Sequence, residues 1–362
     1  MNYVKPLENN LSVTYNGVKY EVSYYKPPLT LTGVTDEAYT EWAVGTTYNA
    51  GDYVKIDALK KIYRSTLNSN LGNYPLADTV NWVDYGSLNS YNMFCSDENI
   101  GSTTTGTGSV MTFDFSGSDT IAFIDVNFTM ARVTLFDTQN YVYKNDYNAA
   151  TTYAVNDAVY YNKKIYVSLV ASNVGNTPDV SPTQWVENTI DVYFNEDILG
   201  SDFGCLTFAE YFYTEKTIKK RVILTGLEWL ANSILRVEMI GSCEIGTIVY
   251  GTEKTLGASL VGSSLKYEDR SLISTNEYTK FRTVKRYGKI RILDCSVIFD
   301  TDEFNSQTSK IEDIISKNVL WIPTHADRFS ESISIGYIEN FTIPMENATK
   351  TQTQTKIIGV SK

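Results

Sequence analysis

A mainly β, multidomain chain is what this sequence predicts, and three observations predict it. Residues that favour strands dominate, with 27 Tyr and 15 Phe beside abundant Val, Ile and Thr. Long stretches alternate apolar with polar residues, as half-buried antiparallel strands do. A short phrase, "TTYNAGDYV" at Thr46–Val54, returns altered as "TTYAVNDAV" at Thr151–Val159. At 362 residues the chain has room for roughly two to four domains.

The alternating stretches locate the strands. The longest is "TIAFIDVNFTMARVTLFD" (Thr120–Asp137), and "KKRVILTG", "ILRVEMIGS", "KIRILDCSVIFD" and "ESISIGYIENFTI" behave alike. Helical periodicity is expected only over "NSQTSKIEDIISKN" (Asn305–Asn318), where Ile311, Ile314 and Ile315 fall on one face. Asn305 or Ser306 can cap its start, Lys317 suits its end, and "DTDEF" before it reads as a strand-to-helix turn.

The repeat extends well past the opening phrase. Thr46/Thr151, Tyr48/Tyr153, Asp52/Asp157 and Val54/Val159 correspond at an offset of 105. Ile62/Ile165, Tyr63/Tyr166, Ser65/Ser168, Asn70/Asn173, Gly72/Gly175, Pro75/Pro178 and Trp82/Trp185 correspond at 103. A hairpin shorter by two residues in the second copy accounts for the change. Matches this numerous at consistent spacing mark a duplication. Each copy spans about 45 residues, too few to bury much core alone, so it needs dense aromatic packing or a host. Val54 and Val159 start a strand, Ile62-Tyr63 and Ile165-Tyr166 form the return strand, and the closing Trp covers the small core.

The shared pattern, Y-x-x-G-D-x-V followed by Y, N-x-G-x-x-P and W, resembles the small β-modules of the chitin-binding type 3 kind, carbohydrate-binding family 5/12. That resemblance makes Tyr63, Trp82, Tyr166 and Trp185 the candidate carbohydrate-binding residues; as residues alone they read as the mini-core of each module ahead of direct ligand contact. The family usually carries exposed stacking aromatics soon after the second-strand Tyr. Thr66 and Leu67 stand there in copy one, Leu169 and Val170 in copy two.

The expected organisation is an N-terminal arm (1–37), a first small module (38–87), an antiparallel β-sandwich in two pieces (88–145 plus 190–245), a second module inserted in it (146–189), and a C-terminal β-rich α+β assembly domain (246–362). The C-terminal third resembles tail and baseplate-associated structural proteins of tailed phages. The residues that carry this are Gly246 and Gly251, then Asp269 and Ser271, then Gly336, Ile338 and Phe341.

Chemistry-bearing patterns are sparse. The formal net charge of −11 argues against nucleic-acid partners, which need clustered Lys and Arg. The basic run "KTIKKRV" (Lys216–Val222) reads as a solvated strand face. Cys95, Cys205, Cys243 and Cys295 lie far apart and away from the single His325, a pattern of reduced, buried thiols rather than of a metal site. No signal peptide is visible in "MNYVKPLENNLSVTYNG", and no apolar run reaches the roughly 20 residues that cross a bilayer, so membrane insertion is not expected. "GSTTTGTGS" (Gly101–Ser109) has glycines at P-loop spacing, but Thr107 stands where the phosphate-binding Lys belongs, and a flexible loop is expected. No spacing identifies a glycosidase carboxylate pair, a catalytic His or a calcium loop. No catalytic residue, cofactor or metal is expected.

Together these readings predict a non-enzymatic structural component of a tailed-phage virion, made in the host cytoplasm. Its expected partners are copies of itself in a symmetric ring, other tail or baseplate proteins, and host surface glycans at the modules. The alternatives are a carbohydrate-binding protein, an accessory part of a polysaccharide-degrading system, or a hydrolase.

Overall fold

A computed structural model describes residues 1–96, 103–188, 191–195, 221–260, 263–269, 272–275, 282–285, 289–344 and 349–359. The chain is mainly β, with several antiparallel sheets, and Phe304–Ile314 is the one helix of seven or more residues among the described residues. Two strands dominate. Thr120–Asp137 and Ser233–Gly251, of 18 and 19 residues, run antiparallel as the middle of a six-stranded sheet. Thr104–Asp114 and then Thr30–Val34 extend it on one side, and Asp191–Asn195 and Arg221–Leu224 pair with Thr120–Asp137 on the other.

A second sheet is built from the two ends of the chain. Asn2–Val4 lies between Glu253–Thr255 and Val319–Ile322, followed by Ser334–Thr342, Lys350–Gly359 and Lys289–Asp300. Strand alternation gives this sheet two buried faces. Val4, Leu320 and Ile322 join the core of the central sheet, while Tyr3, Val319 and Trp321 join a second core beneath the helix with Ile311 and Ile314. The described strands of 88–145 and 190–245, save Val142–Asp146, form one sheet, and the layer packed against it comes from the terminal sheet. The expected boundary at 245/246 falls inside Ser233–Gly251.

Residues 1–37, expected as an extended arm, are taken up in three separate pairings. Asn2–Val4 enters the terminal sheet, the hairpin Glu8–Tyr15/Val18–Tyr25 covers the first module, and Thr30–Val34 edges the central sheet. Two further expectations change in detail. The "GSTTTGTGS" loop becomes strand from Thr104 onward, and a Cβ on Gly106 would lie 2.7 Å from the Gly33 carbonyl oxygen, so the glycine permits close strand approach. The helix ends before Ile315, which is exposed, and Ser316 takes a left-handed φ of 61°; its N-cap is Glu303 rather than Asn305 or Ser306. Cys95, Cys243 and Cys295 are free and buried, whereas Cys205 and Lys216–Lys220 lie outside the described residues. Burial pushes the Cys295 thiol up to about 11, which leaves it an unreactive thiol at neutral pH.

The central sheet has a second working face. Val133, Leu135, Leu235, Val237 and Met239 point into the main core, and the alternate positions Arg132, Phe136, Arg236 and Glu238 meet the second module. Glu238 accepts from Arg132 at 2.8 Å, from Arg236 at 3.1 Å and from the Tyr160 hydroxyl at 2.7 Å. Arg236 also lies 4.0 Å from the centre of the Tyr160 ring and pairs with Asp146 at 2.8 Å. This polar joint fastens the module to the sheet.

Removing Glu238 leaves two buried guanidinium groups without their shared carboxylate. Glu238→Ala is expected to cost about 3–5 kcal/mol, seen as a lowered denaturation midpoint. The joint is also sensitive to alkali. Burial, with Glu238 next in importance, pushes Tyr160 up from the ordinary 10 to about 12. The folded state thus favours the protonated phenol, and its contribution is complete below pH 10 and lost as pH rises through 12. Thermal melts across that range should show the loss, and Tyr160→Phe should reduce it.

Candidate functional site

The two copies of the repeat fold alike, and the sequence explains the likeness bond by bond. In copy one the Ala43 amide donates to the Tyr48 hydroxyl at 2.8 Å; in copy two the Asn148 amide donates to Tyr153 at 2.7 Å. Asp52 and Asp157 each accept from the amide three residues earlier, closing the turn after the Tyr. Gly51 and Asn156 take left-handed φ values of 96° and 70° at that turn, where Gly and Asn are the favoured residues.

Asn70 and Asn173 organise the far end of each module. Each donates to the Ser hydroxyl five residues earlier, at 3.1 and 3.0 Å, and to the carbonyl of Asn81 or Gln184. Each also accepts from the next Asn, Asn73 or Asn176, at 2.8 Å. That second Asn then offers its backbone carbonyl to the indole N–H of Trp82 or Trp185, at 2.9 and 2.8 Å. The indole meets Tyr48 or Tyr153 edge-on with ring centres 5.2 and 5.3 Å apart. The two-residue difference lies where the offset places it. Copy two turns through Asn162-Lys163, both at positive φ, whereas copy one uses Asp57–Leu59 and Lys60.

This geometry settles where the sequence-derived site residues sit. Trp82 and Trp185 are each 2 % exposed, Tyr63 5 % and Tyr166 7 %. Tyr63 joins Trp82, and Tyr166 joins Trp185, inside the mini-core of their module. Their rings offer no free face for a sugar, because stacking needs an exposed one.

The modules differ in which side they bury. Module one presses its mini-core side against the Glu8–Tyr25 hairpin. Leu11, Val13, Tyr15, Tyr20 and Val22 pack there, and Tyr15 stacks on Tyr74 with centres 4.0 Å apart. Module two closes its mini-core with its own Tyr147 and Tyr161 and docks by the opposite side of its sheet. Ala158, Tyr160, Ile165 and Val167 pack there with Phe136, Tyr141 and Tyr143.

Part of the side buried in module two is exposed in module one, although Ile62, the counterpart of Ile165, is itself buried. Pairing register equates the row Tyr53–Arg64–Val83 with Ala158–Val167–Val186. On the open side, Tyr39 stacks on Tyr53 at 5.1 Å, and Tyr85 meets Tyr53 edge-on at 4.8 Å. Arg64 sits 5.9 Å from the Tyr53 ring centre. Tyr85 is 57 % exposed and Val83 47 %. A hydrogen bond with Tyr85, more than any burial, holds the Tyr53 phenol above its ordinary pKa. Sequence reasoning passed over Tyr53, Arg64 and Tyr85 because they do not match between the copies, and over Tyr39 because it precedes the repeated phrase; its register counterpart is Tyr143. The mismatch was itself the signal, since Tyr53/Ala158 and Arg64/Val167 differ on one face of an otherwise shared module.

Among the described residues no cluster of His, Cys, Asp and Glu is placed to hold a metal ion, and no helix is long and apolar enough to cross a membrane. His325 lies 2.8 Å from Glu253, beside Asn2, on the terminal sheet. Neither a protein-family model nor a curated protein matches the chain.

The Asn web carries a direct expectation. Asn173→Ala leaves Ser168, Asn176 and the Gln184 carbonyl short of partners and should cost about 1–3 kcal/mol. Hydrogen exchange should rise across 146–188 and leave 38–87 unchanged, and Asn70→Ala should do the reverse. Leu71→Ala, at an exposed position, should change neither.

Proposed function

We propose that this chain is a non-enzymatic structural component of a tailed-phage virion, in the tail, baseplate or head–tail region, that assembles with copies of itself and with other virion proteins. The observation that carries the reading is the use of one duplicated module as a fixed building part, docked through opposite sides on a scaffold knit by pairings between the two ends of the chain. Such a scaffold acts by holding surfaces at fixed positions, and the residue likeness of the C-terminal third to tail and baseplate proteins agrees with that role.

The alternative is a carbohydrate-binding protein or an accessory part of a polysaccharide-degrading system. It needs exposed rings, and the open tyrosine side of module one is the feature that favours it.

Light scattering and negative-stain imaging of the full-length chain separate the two. A discrete closed oligomer is expected. A monomer at high concentration that binds an insoluble glycan tightly would contradict the proposal and favour the alternative.

A further inference from the structure

We infer that the open side of the first module, formed by Tyr39, Tyr53, Arg64, Val83 and Tyr85, is a self-association surface that takes a carboxylate-bearing surface of a second copy of this chain. The inference rests on the reading of the chain as a self-assembling component and names the surface through which it does so.

The duplication supplies the first argument. In module two the same side of the same fold is a protein-docking side: Phe136 of the central sheet packs on it, and Arg236 and Glu238 meet it at Tyr160. The scaffold is therefore suited in shape to receive protein there, and in module one Arg64, Val83 and Tyr85 stand exposed at that place. The second argument is composition. Where module two has Ala158 and Val167, committed to permanent burial, module one has Tyr53 and Arg64. Tyr and Arg are the residues enriched where surfaces meet after folding, because they tolerate water before contact and give large contacts afterwards. The rings hold one another through the Tyr39–Tyr53 and Tyr53–Tyr85 contacts, so little freedom is lost on docking.

Charge selects the occupant. Arg64 is exposed and pairs with no carboxylate among the described residues. The acidic neighbours are engaged already: Asp57 with Lys55 and Lys60, Asp84 with Lys61, Asp52 in its turn, and Glu41 on the Asp57 amide. A chain of net charge −11 offers spare carboxylates on a second copy. A two-fold contact centred on this side would bring two Arg64 side chains together with no free carboxylate between them. A head-to-tail contact avoids that, and head-to-tail contacts close into rings when the rotation permits.

The test uses the full-length chain and two variants at exposed positions, Arg64→Glu and Tyr85→Ala, with Leu71→Ala as a surface control. Sedimentation velocity over a concentration series reads association, and thermal melts confirm folding. Wild type and the control should associate alike, more weakly at high salt, while each variant melts as wild type does and associates at least about tenfold more weakly. If wild type and both variants assemble equally, this surface is refuted and the self-assembling reading stands. If wild type stays monomeric, both fail. If the variants keep their assembly but lose binding to soluble chitin oligosaccharides that wild type shows, the side is a glycan site and the inference is overturned.

Discussion

A β-module of about 45 residues cannot bury enough apolar surface to hold itself together, and most of this structure follows from that shortage. Each copy gathers a closing Trp, a few Tyr and a Val around an Asn that ties three backbone and side-chain groups together, and copy one adds Ile56, Leu59 and Trp42. The hydrogen bonds fix where the Trp sits, but they do not supply area. Area comes from the host, so each module gives up one side of its sheet to a neighbour. The Glu8–Tyr25 hairpin and the outer side of the central sheet are those neighbours.

The central sheet is shaped by the same need. Its long strands are buried on one side against the terminal sheet, and part of the other side is occupied by module two. Both junctions hold charged residues: Arg221 reaches the Ile333 carbonyl and Asp125 at the first, and a cluster of two arginines and Glu238 stands at the second. Glu238 and Asp146 balance Arg132 and Arg236, and Glu238 accepts from Tyr160, so the cluster fixes the orientation of the module while Phe136 and its neighbours provide the burial. The ends of the chain close the arrangement, since Asn2–Val4 is an inner strand of the terminal sheet and brings Tyr3 against Trp321.

Strand positions were largely legible because their side chains alternate, and Thr120–Asp137 and Lys289–Asp300 occupy the stretches that the pattern marked. The duplication, and the hairpin that shifts its offset, were legible as well, since turn chemistry is local. Partnership between strands was not. Nothing local in Asn2–Val4 says that it pairs with residues some 250 and 320 positions away, and residues 1–37 read as an arm for that reason. The candidate site failed in an instructive way. A family pattern highlights what every copy keeps, here Tyr63, Trp82, Tyr166 and Trp185, and what every copy keeps is core. The open side is written in what the copies do not share, and its meaning appears only once the docking sides are known.

The most direct test of opposite docking exchanges the rows that distinguish the modules. One variant carries Ala158→Tyr with Val167→Arg, and the other carries Tyr53→Ala with Arg64→Val. Thermal melts with site-resolved hydrogen exchange should show the first pair strongly destabilised, with module two released from the central sheet, and the second pair as stable as wild type. Equal effects of the two exchanges, or a first pair that stays docked, would contradict the account.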